Sequence, residues 1–172
     1  MGSLLYIITI TRLDAARAVN KLSEFLINPS VRHQDAVDRA ILYLYGTCNL
    51  AIEYSAISDN QSVCASDAAF ADDIATRYST EGYLFKLFNG PIDWRSTKQK
   101  TVTTSSTEAE LLALSHAAKD VIWWKRFFNG IRQLDIDQNF AILCDNRQTI
   151  RLITAETPQI NTKLKYIDIQ GY

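Results

Sequence analysis

Three acidic residues lie at positions where a metal site can form. Asp67 closes a strand-like run of small residues, and Asp145 closes the apolar run Phe140–Cys144 just before a predicted helix. In open α/β sheets, ligands collect at the carboxyl ends of the strands. The third acid, Glu110, lies on a long predicted helix. These positions identify Asp67, Glu110 and Asp145 as candidate metal ligands.

The spacing along that helix separates two candidate glutamates. Ser105 and Glu108 have the spacing of a capping box, in which the glutamate bonds back to the start of the helix. Glu110 instead shares a face with apolar residues at helical spacing, namely Leu114, Ala117 and Val121. An acid on a face that packs against a sheet is costly unless it is paired, protonated or bound to metal. We therefore predict that Glu110 is functional and that Glu108 is the cap.

Carboxylates that converge without cysteine pairs and with few histidines favour a hard cation such as Mg²⁺ or Mn²⁺. The chain has only two histidines, and its three cysteines form no C-x-x-C pair. With 19 acidic residues in the chain, however, a trio at such positions also arises by chance. The residue types alone leave open both a metal site and a set of solvated acids.

The composition describes an ordinary globular chain. Its 172 residues are 47% hydrophobic and 22% charged, which allows one sizeable core and excludes a disordered chain. The formal net charge of −1 means that attraction to nucleic acid must come from a local patch or from other domains. The odd number of cysteines favours a reduced, intracellular setting. The apolar stretch Leu4–Ile10 is too short to span a bilayer, so we expect a soluble protein.

Hydrophobic spacing predicts an α/β fold with helices covering a sheet. Asp14–Leu26 and Arg32–Leu44 form a predicted helical pair, and Thr107–Ile131 and Arg147–Thr154 are later helices. The predicted strands are Ala51–Ile57, Ser62–Ser66, Gly82–Phe88, Ile92–Ser96, Thr101–Thr104, Phe140–Cys144 and Lys165–Ile169. Asn89-Gly90 marks a hairpin turn.

The most specific motif in the chain is Ser105-Ser106-Thr107-Glu108-Ala109-Glu110, and Ser66-Asp67-Ala68 and Cys144-Asp145-Asn146 are two others. These motifs resemble the ribonuclease H region of copia-type LTR retrotransposon polyproteins. Further matches, in family order, are Thr76-Arg77, Ser79-Thr80, Gly82-Tyr83, Gly90-Pro91-Ile92, Trp94 and Lys98-Gln99-Lys100-Thr101-Val102. The beginning of the chain resembles the end of the reverse transcriptase, through Gly2-Ser3-Leu4-Leu5-Tyr6, Thr11-Arg12, Asp14, Tyr43-Leu44 and Gly46-Thr47. The resemblance covers nearly the whole chain.

This resemblance implies a ribonuclease H-like mixed sheet with flanking helices over 51–172, C-terminally truncated, after a helical segment over 1–50. It implies a metal-dependent endonuclease that hydrolyses the RNA strand of RNA–DNA hybrids during reverse transcription. Asp67, Glu110 and Asp145 would bind two Mg²⁺ or Mn²⁺ ions. The implied partners are the hybrid and the reverse transcriptase domain of the same polyprotein, in a cytoplasmic virus-like particle. Neither a small-molecule cofactor nor a membrane is implied.

Some of these predictions have an alternative. The family pattern runs past the end of this sequence to a closing acid, for which Asp168 is a candidate substitute; a solvated strand-end acid is the other interpretation. Arg77, Lys98 and Lys100 are candidate nucleic-acid contacts, or else paired and solvated surface charges. The alternative function is a catalytically inactive remnant of the same fold that serves as a scaffold or binds nucleic acid weakly.

Two further groups have competing interpretations. His116 lies one place off the Glu110 face, where we predict a structural role rather than a catalytic one. An aromatic cluster at helical spacing is predicted to be core or a contact with other domains, rather than a platform for bases. It comprises Trp123, Trp124, Phe127 and Phe128.

Overall fold

A computed structural model of the chain shows helices packed on a mixed sheet. The structure describes residues 1–55, 62–131 and 140–154. The α-helices are α1 (Gly2–Ile10), α2 (Ala16–Ser23), α3 (Val31–Gly46), α4 (Ser106–Gly130) and α5 (Arg147–Thr154), with a 3-10 turn at Leu13–Ala15. The strands are β1 (Val63–Ala69), β2 (Thr80–Leu87), β3 (Gly90–Lys98) and β4 (Ala141–Leu143). The predicted α/β class is confirmed. None of the helices in the described ranges is long and apolar enough to cross a membrane.

The N-terminal helices share a small core of their own. Leu4 and Ile8 of α1 lie in one buried cluster with Val19 of α2. The predicted helix over Arg32–Leu44 is confirmed as α3, whereas the one over Asp14–Leu26 is shorter and begins with the 3-10 turn. The sequence pattern does not predict α1, because its residues are apolar on nearly every side and show no amphipathic period.

Buried Arg12 ties these helices together. Its guanidinium donates to the Asp14 carboxylate at 2.8 Å and to the Thr47 carbonyl at 3.2 Å. The Tyr43 hydroxyl donates to Asp14 at 2.7 Å. These bonds, above all the one from Arg12, lower the pKa of Asp14 to about 2. Residues that carry the resemblance in this part of the chain therefore have a structural role.

The described residues form one four-stranded sheet with the order β3-β2-β1-β4. β1 is antiparallel to β2 and parallel to β4, and β2 is antiparallel to β3 with an irregularity between Phe85 and Lys86. The turn between β2 and β3 consists of Phe88 and Asn89, whose φ values of 53° and 63° suit a type I′ hairpin. This turn begins one residue before the predicted turn at Asn89-Gly90. A side chain at Gly90 would meet the Tyr54 ring at 2.6 Å, so this position requires glycine.

Two predicted strands are wrong in their described parts. Residues 51–55 lie outside the sheet, held to the hairpin by bonds such as that from the Tyr54 hydroxyl to the Pro91 carbonyl at 2.7 Å. Residues 101–104 form a loop because their polar groups have other partners. The Thr103 hydroxyl pairs with that of Ser79 at 3.0 Å, and the Thr104 N–H donates to Glu108. The strand predicted at Lys165–Ile169 lies outside the described residues.

A second core forms where α4 packs on the sheet. Cys64 and Phe85 from the sheet pack with Ala117 and Val121 of α4. The N-terminal helices also contact the sheet, at β3. The Trp94 indole N–H donates to the Ile8 carbonyl at 2.7 Å, and similarly Asn20 donates to the Ser96 carbonyl at 2.8 Å. The sheet thus has α4 and the N-terminal helices as separate neighbours.

Candidate metal centre

Two of the predicted carboxylates follow the parallel pair of strands. The pairing of β1 with β4 ends where Ala65 faces Leu143. Asp67 and Asp145 each lie two residues further on, so both reach the same end of the sheet, and both are exposed. Asp67 does not close β1 as predicted, because the antiparallel pairing with β2 continues to Ala69.

Glu110 reaches this end of the sheet from the first turns of α4. The helix starts where the Ser105 hydroxyl accepts from the Glu108 N–H at 3.1 Å, and the Glu108 carboxylate accepts from the Thr104 N–H at 2.6 Å. Ser105 caps the helix as predicted, whereas the Glu108 carboxylate bonds to Thr104, one residue before the N-cap, rather than to the Ser105 N–H of a capping box. Glu110 lies on the buried face and is 6% exposed. Its Oε2 atom has no hydrogen-bond partner among the described residues.

The surroundings of Glu110 disfavour its charged form. Burial is the main cause, followed by the negative charges of Asp67 and Asp145, and together they raise the pKa of Glu110 to about 6. A hydrogen bond from the Ala68 backbone acts in the opposite direction and is the smaller effect. The three predicted carboxylates are therefore close enough to interact electrostatically.

Cys144 is a potential ligand that was not predicted from the sequence. Within the described ranges, one ligand atom each from Glu110, Cys144 and Asp145 lies within 4.8 Å of the others, and Asp67 is outside this group. Burial raises the pKa of the half-buried Cys144 thiol, which favours its neutral form. Its place beside Asp145 at the end of a predicted strand is the sequence signal that could have identified it.

The residue after Asp145 fixes the backbone at this point. The Asn146 side-chain oxygen accepts from the backbone N–H groups of Gln148 and Thr149, both at 3.0 Å. An asparagine in this role caps the start of a helix, here α5. The cap holds the turn between β4 and α5, and with it the position of Asp145.

These donors fit a divalent cation that prefers oxygen ligands. A cation would give the unpartnered, buried Oε2 of Glu110 a ligand role and would offset its repulsion from Asp67 and Asp145. The neutral thiol of Cys144 is a soft donor and adds little for Mg²⁺ or Mn²⁺. Asp168, the tentative fourth metal ligand, lies outside the described residues.

The three basic residues predicted to contact nucleic acid differ in whether their charges are paired within the protein. Lys98 forms an ion pair with Asp73 and lies 3.8 Å from Glu24. The bond from Lys98 holds the pKa of Asp73 well below its usual range. Arg77 and Lys100 are exposed, and the φ of 60° at Arg77 places it in a tight turn. Lys98 is thus already neutralised within the protein.

The other residues singled out from the sequence contact their neighbours in the fold. His116 Nδ1 lies 2.7 Å from a carboxylate oxygen of Glu81. Trp124 is half-buried against Phe85, with ring centroids 5.8 Å apart. Trp123 is exposed and stacks on the ring of Phe127 at 5.5 Å. The aromatic cluster therefore has a core side and a solvent side.

Comparison with known proteins finds relatives of two kinds, an effector and retrotransposon polyproteins. The chain is 42% identical over 123 residues to the secreted RxLR effector protein 161 of Plasmopara viticola. The matched residues make up 72% of this chain and 87% of the effector. It is 37% identical over 171 residues to the retrovirus-related Pol polyprotein from transposon TNT 1-94 of Nicotiana tabacum. It is 35% identical over 171 residues to the corresponding polyprotein from transposon RE1 of Arabidopsis thaliana. No family model and no solved structure matches the chain.

The two polyprotein matches cover 99% and 98% of this chain but only 12% and 11% of the polyproteins. The chain belongs to the sequence family that these relatives share, whose large members are retrovirus-related Pol polyproteins of plant transposons. The predicted relationship to a retrotransposon polyprotein is confirmed. The assignment to its ribonuclease H part remains a prediction.

Proposed function

We propose that the chain is the ribonuclease H segment of a retrotransposon polyprotein, a metal-dependent endonuclease that hydrolyses the RNA strand of RNA–DNA hybrids. The observation that carries this proposal is the state of Glu110. Its carboxylate is buried, has an unpartnered oxygen among the described residues, and is repelled by Asp67 and Asp145. Burying a charge in such surroundings is unfavourable, and shifts of this kind concentrate at functional sites.

Each carboxylate has a distinct part in the proposed site. Asp67, Glu110 and Asp145 would hold Mg²⁺ or Mn²⁺, as two ions. When bound, the metal lowers the pKa of a water molecule and stabilises negative charge on the phosphate. Glu110 offers a buried oxygen fixed by α4, whereas the exposed Asp67 and Asp145 leave the site open to a phosphodiester. Asp168 is proposed as a further ligand.

The substrate would lie over the exposed carboxylates. Arg77 and Lys100 are exposed and are the better candidates for phosphate contacts, because the charge of Lys98 is paired with Asp73. RNA would be distinguished from DNA by its 2′-hydroxyl groups and by the shape of the hybrid. The proposed partner is the reverse transcriptase domain of the same polyprotein, and the proposed setting is a cytoplasmic virus-like particle.

A second proposal is a catalytically inactive member of the same fold, acting as a scaffold or a weak nucleic-acid binder. The net charge of −1 supports it, because the chain as a whole does not attract phosphates. The internal pairing of Lys98 also supports it. The chain covers 87% of one relative whose name is that of an effector rather than a polyprotein. A scaffold needs no metal ion, so metal dependence separates the two proposals.

The test is cleavage of an RNA–DNA hybrid that carries a label on the RNA. The full chain is compared with Asp67→Asn and with Asp35→Asn, which changes an exposed aspartate on α3 as a matched control. We expect cleavage in Mg²⁺ or Mn²⁺ that EDTA stops, that Asp67→Asn abolishes and that Asp35→Asn retains. Absence of cleavage by the folded chain, or full activity of Asp67→Asn, would overturn the nuclease proposal.

A further inference from the structure

Gln99, the residue directly after β3, connects three elements of the fold. It is 3% exposed. Its side-chain amide nitrogen donates to Glu81 Oε2 on β2 at 3.2 Å and to the Ala109 carbonyl on α4 at 2.9 Å. Its backbone N–H donates to the Ser79 carbonyl at 2.8 Å. Both hydrogens of the amide group are thus used in one buried bridge between the sheet and the helix.

Glu81 extends this bridge along α4. Its other carboxylate oxygen lies 2.7 Å from Nδ1 of His116. Ala109 and His116 are separated by about two helical turns, because each turn contains about 3.6 residues. The two tethers therefore hold the stretch of α4 that carries Glu110 against β2.

This stretch of helix decides where the Glu110 carboxylate lies. Ala109, which accepts from Gln99, is the residue immediately before Glu110. Glu110 Oε2 has no partner of its own within the described ranges, so the carboxylate depends strongly on the placement of its backbone. Metal ligands must be held within about 0.5 Å of their productive geometry by residues that surround them.

Stability alone is a poor explanation for Gln99. Its Oε1 atom is buried without a hydrogen-bond partner among the described residues, which is a cost in a folded protein. A buried bridge that leaves an atom unsatisfied fixes a geometry at the expense of stability. That geometry is the placement of the first turns of α4 on the sheet.

We propose that Gln99 is a positioning residue for the metal centre, acting through Ala109 on the placement of Glu110. The inference rests on the proposed function, since it requires that Glu110 binds a divalent cation. Removing a residue that orients metal ligands commonly weakens metal binding by about 10- to 100-fold. We expect the loss of the Gln99 amide to lie at the lower end of that range.

The test measures the affinity of the full chain for Mn²⁺ by titration, with free Mn²⁺ detected by electron paramagnetic resonance. Gln99→Met keeps the length of the side chain and removes both donors, and we expect it to weaken Mn²⁺ binding about tenfold. Trp124→Phe is the matched control, because it removes another bond from α4 to the sheet, the one to Asp93 at 3.0 Å. Trp124 lies far along α4 from Glu110, so we expect this variant to keep the Mn²⁺ affinity of the wild type although it is less stable.

Each outcome of this titration bears on the inference. If Gln99→Met does not fold, Gln99→Asn takes its place, since its shorter side chain cannot reach both partners, and the same weakening is expected. Equal Mn²⁺ affinity in wild type and the folded Gln99 variant would overturn the inference and leave the proposed function intact. Equal weakening by Trp124→Phe would also overturn it, by showing a general effect of stability. If the wild-type chain binds no Mn²⁺, both the proposed function and the inference fail.

Discussion

The interface between α4 and the sheet has two ends that differ in kind. At one end, Phe85 and Val121 form a buried apolar cluster with their neighbours, and Trp124 packs on it with its indole N–H bonded to Asp93. At the other end lie the buried side chains of Glu110 and Gln99, each with an atom unpartnered among the described residues. The same helix thus joins a satisfied apolar core to an unsatisfied polar site.

The difference separates the apolar end, which stabilises the fold, from the polar end, where we propose that metal binds. Burial of apolar surface is favourable without any ligand, so the Phe85 end contributes to the fold directly. Burial of Glu110 near two other carboxylates is unfavourable until the charge is compensated. One end should therefore be sensitive to changes of packing, and the other to protons and metal ions.

The largest expected effect is on the apolar end. Phe85 is 1% exposed, so Phe85→Ala leaves a cavity and should lower the free energy of unfolding by about 3–5 kcal/mol. Urea unfolding monitored by circular dichroism measures the loss. Phe70→Ala, at a side chain that is 37% exposed, is the control and should cost much less. Similar losses for both variants would show that the Phe85 cluster is not the main core.

The polar end should respond to metal. Each Mn²⁺ ion that binds only the folded chain should raise the free energy of unfolding by about 2.7 kcal/mol when free Mn²⁺ is at about 100 times its dissociation constant. Glu110→Gln should lose most of this gain, since it removes the buried carboxylate. Urea unfolding with and without Mn²⁺ is the measurement. An equal gain in Glu110→Gln would place the binding site elsewhere.

Without metal, the polar end should respond to pH. The pKa of Glu110 rises from its ordinary value of 4.5 to about 6 on folding, so the folded chain holds this proton more tightly than the unfolded chain. The stability that the proton contributes is present below pH 4.5 and is lost as the pH rises through about 6, a change of about 2 kcal/mol. Unfolding in EDTA across this range, wild type against Glu110→Gln, isolates the effect. Parallel pH profiles for the two proteins would contradict it.

The smallest effect concerns Cys144. Because its thiol is a soft donor next to Glu110 and Asp145, Cys144→Ser should leave Mn²⁺ affinity nearly unchanged and weaken Cd²⁺ binding about tenfold. Competition titrations with the two ions measure the difference. Cys48→Ser, at an exposed cysteine, is the control. Weaker Mn²⁺ binding in Cys144→Ser would show that the thiol belongs to the hard-cation site.

Regular periodicity made much of the fold predictable from the sequence. α4 and β2 follow clear helical and alternating patterns, and their bounds differ little from those predicted. α1 has apolar residues on nearly every side, so no period marked it. The threonines at 101–104 suit a strand by type, but Thr103 and Thr104 have side-chain and capping partners that depend on the folded chain.

The residues of the candidate site also divide into those with a local sequence signal and those that depend on the tertiary fold. Glu110 was identifiable because an acid interrupted an apolar helical face, a local signal. Gln99 gave no such signal, and the signal for Cys144 was limited to its place beside Asp145 at the end of a predicted strand. The hydrogen bond from Gln99 to Ala109 depends on where β3 ends relative to α4. The proximity of Cys144 to Glu110 depends on how β4 pairs with β1. These are tertiary arrangements that residue spacing does not contain.

The most direct test of the proposed metal centre is a crystal structure of the chain with Mn²⁺, using anomalous scattering to locate the ions. We predict anomalous peaks within coordination distance, about 2.0–2.6 Å, of carboxylate oxygens of Asp67, Glu110 and Asp145. Ordered side chains at these positions without a peak, in crystals soaked at saturating Mn²⁺, would contradict the metal centre. Ions bound only at other carboxylates would contradict it equally.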